Sequence, residues 1–278
     1  MTSDASLRPL IPRTGVQAIA KADLIEGMAK GMAVLEAFDT QRQRLNATLA
    51  AERAGITRAA ARRHLLTLAH LGYLETDGSY FWLAAKVLRF SGSYLASARL
   101  PRAAQPTLNR LAAQSRASFS VAVLDGDEVV IVGRSGVEWM STEAQSLPSR
   151  PLAYGLHLGA RLPAHATSTG RVLLAAMGKG EFNAWLKSRL PTGLARLTVH
   201  TTTDPRLLKS LIDKVRLDDF CLASEEHELG VHALAVPLRD MKGQTVAAIN
   251  VVGSSRGPDP SGWLPLLLDA ARELRPLL

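Results

Sequence analysis

Two short helical runs joined through Gly55 constrain this chain more than any other feature. Asn46-Ala47-Thr48-Leu49-Ala50-Ala51-Glu52-Arg53-Ala54 has the make-up of a short helix, and Gly55-Ile56 breaks it. Glycine accepts the positive φ with which helices commonly end. Thr57 is a good N-cap for a following helix, predicted from Arg58 to about Leu71 with Ala61, Leu65 and Leu68 on its buried side. Helix, tight glycine turn, helix is the helix-turn-helix arrangement. Behind it, Tyr73–Thr76 and Tyr80–Leu83 flank Asp77-Gly78-Ser79, a strong hairpin signal. A hairpin directly after the second helix is a wing. Ahead of it, Ile25, Met28, Met32, Leu35 and Phe38 recur at helical spacing and predict a first amphipathic helix. Gly27 and Gly31 sit in a stretch too polar for a membrane dimer motif, so close helix packing accounts for them better.

Charge says what such a unit would meet. The formal net charge is +8. Between residues 40 and 72 the cations are Arg42, Arg44, Arg53, Arg58, Arg62 and Arg63, and the only acid is Glu52. Arg58 and Arg62 are four apart and share a helix face, which Arg63 and His64 extend. Arginine can chelate guanine O6 and N7 in the major groove, and any of these cations can hold phosphate. Thr48 and Thr57 lie near helix starts, where hydroxyls and backbone N–H groups commonly meet phosphates. The expected DNA-binding set is therefore Thr48, Thr57, Arg58, Arg62, Arg63 and His64. The competing account is a solvated charged helix; the ordered glycine turn, cap and wing favour nucleic acid.

A length of 278 residues suggests two domains. The expected division is a disordered tail over 1–22, the winged helix-turn-helix over 23–84, a linker helix over 85–100 and an effector domain over 101–278. No apolar run is long enough to span a membrane, and the first twenty residues lack a secretion core. The single cysteine, Cys221, excludes an internal disulfide and suits a reducing cytoplasm.

The second half alternates helices with strand pairs. Helices are predicted over 101–117, 167–177, 205–215 and 262–278, the second capped by Thr167 and the third by Asp204-Pro205. Strands are predicted over 119–124, 129–132, 234–238 and 245–252, around Asp125-Gly126-Asp127 and Lys242-Gly243. The pattern argues an α+β fold with an antiparallel sheet.

Ser168, Thr169 and Gly170 stand at a predicted helix start, where unpaired N–H groups and the positive dipole end suit an anion. Arg134 could pair with a carboxylate, and Tyr154 and His157 could hydrogen-bond a phenol; each is equally accountable as packing. Ala166-Thr167-Ser168-Thr169-Gly170 also resembles a nucleophile elbow with alanine first, which would make Ser168 the serine of a hydrolase. Pro163 interrupts the strand such an elbow needs. His227 and His232 with Glu225, Glu226 and Glu228 fit no zinc spacing and are expected to be a turn histidine and solvated acids. With no cysteine pair either, no metal is expected, and with no glycine-rich phosphate loop present, no nucleotide or other cofactor is expected. Cys221 reads as a buried strand residue.

Several segments resemble the IclR family of bacterial regulators. Ile25–Leu35 is similar to the opening helix of the subfamily governing aromatic-acid catabolism, and Thr57–Arg63 to its recognition helix. Leu162–Ala175 resembles the family's effector-domain signature, and 225–230 and 235–240 its later segments. The resemblance implies a GAF-like effector domain, a homodimer or dimer of dimers, operator DNA and RNA polymerase as partners, and no membrane. It implies a non-enzymatic regulator whose effector is 4-hydroxybenzoate, protocatechuate or a related acid. A regulator of a non-aromatic keto or dicarboxylic acid is the alternative, beside the serine hydrolase. Ser168, Thr169, Ser224, Val231, Ala233 and Asn250 match the family's pocket positions. Glu138–Ser149 departs from the pattern as an apparent insertion.

Overall fold

The computed structural model describes residues 20–39, 42–115, 117–135, 157–254 and 259–278. It divides into two units, one ending at Tyr94 and the other starting at Leu95. The tail up to residue 19, Tyr154 and the segment 138–149 lie outside the described residues.

The first unit holds α1 (Glu26–Glu36), α2 (Ala47–Ala54), α3 (Arg58–His70), β1 (Leu74–Thr76) and β2 (Phe81–Leu83). Each boundary has a local cause. The Asn46 side chain accepts hydrogen bonds from the N–H groups of Thr48 and Leu49, at 3.1 and 3.0 Å, and so starts α2. Gly55, at φ +65°, ends it. Thr57 caps α3 by accepting from the Ala60 N–H at 3.2 Å. In the wing, Asp77 Oδ1 accepts from Ser79 and Tyr80, fixing the turn between β1 and β2. Leu45, just ahead of α2, exchanges both backbone hydrogen bonds with Phe81 of β2, at 3.0 and 2.9 Å. The core between these elements is Val34, Leu45, Ala50, Ala61, Leu65, Leu74 and Phe81.

α1 forms where expected, but much of its apolar stripe faces outward. Ile25 and Met28 are 66% exposed and Met32 51%. Val34, Ala37 and Phe38 carry the buried side instead. Helical spacing identifies a helix, not which of two apolar faces its own domain covers.

A 3-10 turn (Ala85–Val87) leads into α4 (Leu88–Ser97), in which the division between the units falls. The second unit continues with α5 (Arg99–Ser115), β3 (Ser118–Asp125), β4 (Glu128–Ser135), β5 (Arg161–Pro163), α6 (Ser168–Ala176), α7 (Lys179–Arg189), α8 (Pro205–Asp218), β6 (Cys221–Ser224), β7 (Val231–Arg239), β8 (Thr245–Ser254) and α9 (Leu264–Leu274). The described strands form one antiparallel sheet in the order β5-β4-β3-β8-β7-β6.

Strand alternation gives the sheet two different faces. Phe119, Val121, Leu234, Val236, Ile249 and Val251 face Leu108 and Leu111 of α5 and Leu267 and Leu274 of α9, forming the main core. The intervening residues, including Ser118, Ser120 and Asn250, belong to the other face, where α6 packs on β7 and β8. α7 has no counterpart in the periodicity analysis. It is fixed by tertiary partners: Trp185 donates to the Gly126 carbonyl at 3.1 Å, and Arg189 pairs with Asp127 at 2.8 Å. Among the described residues no helix is long and apolar enough to cross a membrane.

Candidate DNA-reading helix and effector cavity

On α3 the apolar face is buried, and Arg58, Arg62 and Arg63 are exposed. Among the described residues, their guanidinium groups make no hydrogen bond or ion pair. The other basic residues of the run behave differently. Arg53 pairs with Asp39. Arg44 pairs with Asp77 and lies over the Trp82 ring, 4.7 Å from its centroid. Three cations on one helix are thus left to attract a polyanion.

Thr48 is exposed, with its N–H held by Asn46, and the Thr57 hydroxyl caps α3 while its O–H remains able to donate. His64 is not on the arginine face. It is half-buried against α1, where a Cβ on Gly31 would lie 3.6 Å from its Nδ1. Burial, with the nearby Arg63 and Lys30 cations, holds its imidazole below the usual histidine range.

In the second unit a cavity opens between the sheet, the start of α6 and the turn after β6. Its volume is about 50 Å³, with a mouth open to solvent. Ile131, Leu162, Ala223, Val231, Ala233 and Val252 give it apolar walls, and Thr167, Ser168, Thr169, Asn250, Glu226, His227 and Glu228 add polar groups.

The sequence builds this cavity in three pieces. Thr167 accepts from the Gly170 N–H at 3.1 Å and so caps α6. A 3-10 turn, Ala164–Ala166, approaches the helix so closely that a Cβ on Gly170 would lie 2.1 Å from the Ala164 carbonyl oxygen. Gly170 is therefore a packing glycine whose N–H is already taken, and it does not line the cavity. Ser168 does line it, and its Oγ, in a residue 1% exposed, has no hydrogen-bond partner among the described residues. A buried hydroxyl without a partner is costly and marks a place for a ligand or water.

The second piece is the turn from Glu225 to Gly230. Glu225 adopts φ +57°, and its carboxylate accepts from the Gly230 N–H at 2.7 Å. Glu226 receives both terminal nitrogens of the buried Arg171, at 2.6 and 2.5 Å, and the Thr202 N–H at 2.9 Å. Burial pushes the Glu226 carboxyl up, but Arg171 and Thr202 outweigh it and hold the group below the usual range. Glu226, expected to be a solvated acid, is instead part of the cavity wall; His227 is a turn histidine as expected, and it too lines the cavity. Glu226 is covered by Arg171 and the 198–202 loop, which spacing along the chain does not reveal.

The third piece is the sheet. Asn250 accepts from Ser120 Oγ at 2.5 Å through Oδ1, which leaves its Nδ2 donors for the cavity. Ala223 faces the cavity, whereas Ser224 is exposed and hydrogen-bonded to His232 at 3.0 Å. One step along a strand reverses the face. Arg134 pairs in register with Ser120, yet does not line the cavity. His157 is exposed, its Nδ1 2.9 Å from the Leu158 carbonyl oxygen. Cys221 is buried in β6, where burial pushes its thiol up to about 11.

The elbow geometry also differs from expectation. A strand, β5, does precede Ser168, ending at Pro163 on the sheet edge, but the 3-10 turn separates the two. A second hollow, bordered by Val172, Val215, Arg216, Asp219 and Arg239, holds guanidinium groups that are already engaged. Arg239 is paired with Asp219, and Arg216 binds Asp213 and the carbonyls of Ala175 and Met177.

A winged helix-turn-helix with unpaired arginines on its second helix, together with a sheet-borne cavity at a helix N-terminus, defines a ligand-responsive DNA-binding transcription regulator. Residues 27–78 match the IclR helix-turn-helix domain, and residues 92–274 match the C-terminal domain of bacterial IclR transcriptional regulators. The chain belongs to the IclR family. It is 50% identical over 264 residues, 94% of each chain, to the p-hydroxybenzoate hydroxylase transcriptional activator of Acinetobacter baylyi. It is 48% identical over 269 residues, 95% of this chain and 93% of the relative, to the Pca operon regulatory protein of the same organism. A solved structure of the inducer-binding domain of the Acinetobacter PobR transcription factor, a double mutant in complex with 3-hydroxybenzoic acid, is 43% identical. It covers 64% of this chain and 98% of its own, with a TM-score of 0.55.

Proposed function

We propose that this regulator controls genes of aromatic-acid catabolism, holding operator DNA with α3 and the wing and taking a monocyclic aromatic carboxylate into the α6 cavity. 3-Hydroxybenzoate is a first candidate by likeness to the PobR domain, and 4-hydroxybenzoate and protocatechuate by the subfamily resemblance. The unpartnered Ser168 hydroxyl carries the reading. It stands at the first turn of α6, where the N–H groups of Ser168 and Thr169 and the positive end of the helix dipole favour an anion. The apolar walls suit a ring, and Val231, Ala233 and Asn250 supply its sheet side.

The DNA contacts belong to Arg58, Arg62 and Arg63, with Thr48 and Thr57 placed for phosphate. The working form is a homodimer or dimer of dimers that contacts RNA polymerase. The outward stripe of Ile25, Met28 and Met32 supports self-association, since such a stripe is costly in water. Effector binding then shifts the arrangement in which two recognition helices meet their half-sites.

Calorimetry on the full chain tests the ligand reading. At least one of the three acids is expected to bind, and Ser168→Ala is expected to weaken it about tenfold, the loss of one charge-assisted hydrogen bond. Binding of aliphatic keto or dicarboxylic acids with no response to any aromatic acid would overturn the aromatic assignment.

A further inference from the structure

The cavity has an orphaned polar group on each of two walls. One is Ser168 Oγ on α6. The other is the ring of His227, which lines the cavity from the turn after β6 and has no hydrogen-bond partner among the described residues. A ligand that satisfies only the first and shuts water from the half-buried ring leaves that ring without a hydrogen bond, at a cost comparable to one lost.

The backbone around His227 is fixed on both sides. Thr198 donates to the Glu225 carbonyl at 2.6 Å, and Thr201 to the Glu226 carbonyl at 2.6 Å. The Glu226 side chain is tied to Arg171, and the Glu225 carboxylate ties back to Gly230. A backbone held this way fixes where the His227 side chain leaves the turn. Burial keeps the imidazole below the usual histidine range, so near neutral pH it offers one N–H and one lone pair. Such a ring can pair with a hydroxyl in either sense. It cannot replace the α6 terminus as an anion site, because it is uncharged and has Glu226 and Glu228 beside it.

We propose that His227 is a specificity-determining residue that recognises a ring hydroxyl of the effector, so that the site selects hydroxylated aromatic acids over the plain benzoate ring. The carboxylate goes to α6 and the hydroxyl to the turn. The proposal rests on the aromatic-acid reading of this cavity and adds to it which group discriminates. A site built to hydrogen-bond a hydroxyl rejects the analogue lacking it far more strongly than an apolar pocket rejects a missing methylene.

The test is a matrix of dissociation constants for benzoate, 3-hydroxybenzoate and 4-hydroxybenzoate on the full-length protein, its His227→Leu variant and its His227→Gln variant. For the wild type, at least one hydroxybenzoate is expected to bind on the order of tenfold or more tighter than benzoate. In His227→Leu that gap is expected to close, with benzoate affinity within about twofold of wild type, because an apolar isostere leaves no orphan. His227→Gln, which keeps a donor and an acceptor, is expected to restore part of the gap. The ratio between ligands is the readout, and a general loss of folding would not move it selectively. A gap that persists in His227→Leu, or a wild type that binds benzoate as tightly as both hydroxybenzoates, overturns the role of His227 while leaving the aromatic-acid reading intact. No binding of any of the three, nor of protocatechuate, overturns both.

Discussion

Arg171 and Glu226 meet through two hydrogen bonds, 2.6 and 2.5 Å long, with side chains only 2% and 11% exposed. The pair joins α6 to the turn carrying His227, and Arg171 also donates through Nε to the His165 carbonyl at 2.9 Å. One guanidinium therefore holds two walls of the cavity together.

Arg171→Met leaves Glu226 without its cation. The expected loss of stability is about 3 kcal/mol, the lower end for a broken buried pair, because Thr202 still holds the carboxylate. Denaturant unfolding of the variant beside wild type measures it. Adding Glu226→Leu is expected to recover part of the loss, since the stranded charge then disappears.

Acid is expected to destabilise the effector unit in two stages. Burial holds the His165 and His227 imidazoles below their ordinary value of 6.5. The unfolded chain therefore binds protons that the folded one does not, and stability falls as pH drops below about 6.5. Glu226 lies below its ordinary 4.5, despite the upward push of burial, because of Arg171 and Thr202. Its contribution is present above 4.5 and is lost as pH falls below it. Urea midpoints across this range should show both declines, and Glu226→Gln should flatten the lower one.

On DNA, Arg62→Ala is expected to weaken operator binding by about 1–3 kcal/mol and relax preference at one base pair if Arg62 meets a base edge. Arg58→Ala, if it holds a phosphate, should weaken all sequences alike and reduce the salt slope by about one. Titrations at several salt concentrations separate the two. His64→Ala is expected to act through the packing of α1 on α3 and leave that slope unchanged.

Gly170→Ala would drive a methyl into the Ala164 backbone, which must move. Overpacking of this kind costs about 1–3 kcal/mol, or more when backbone rather than side chain must shift. Thermal unfolding checks it. A variant as stable as wild type would show that the 3-10 turn yields easily.

The local chemistry of the fold was open to inspection in the chain itself. Asp77-Gly78, Gly55, Thr57, Thr167 and Asp204-Pro205 mark their boundaries because capping and positive φ depend on a few neighbouring residues. What depends on distant partners was not. α7 is held by the turn between β3 and β4, and the outward face of α1 cannot be told from its inward one by period alone. At the cavity, the predicted helix start placed Ser168 and the family resemblance placed Asn250, but Ser224, placed by the same resemblance, is one residue from the face that matters. Glu226 looked like surface because the residues that engage it lie far along the chain, at Arg171 and 198–202.

The bridge between Leu45 and Phe81 has a consequence for how a signal can act. It closes the segment before α2, the two helices and the wing into a loop of chain stitched at both ends, with Arg44 clasping Asp77 over the same seam. A reading head laced in this manner resists internal deformation. The lacing predicts that this unit moves as one piece, its two helices and wing keeping their mutual placement.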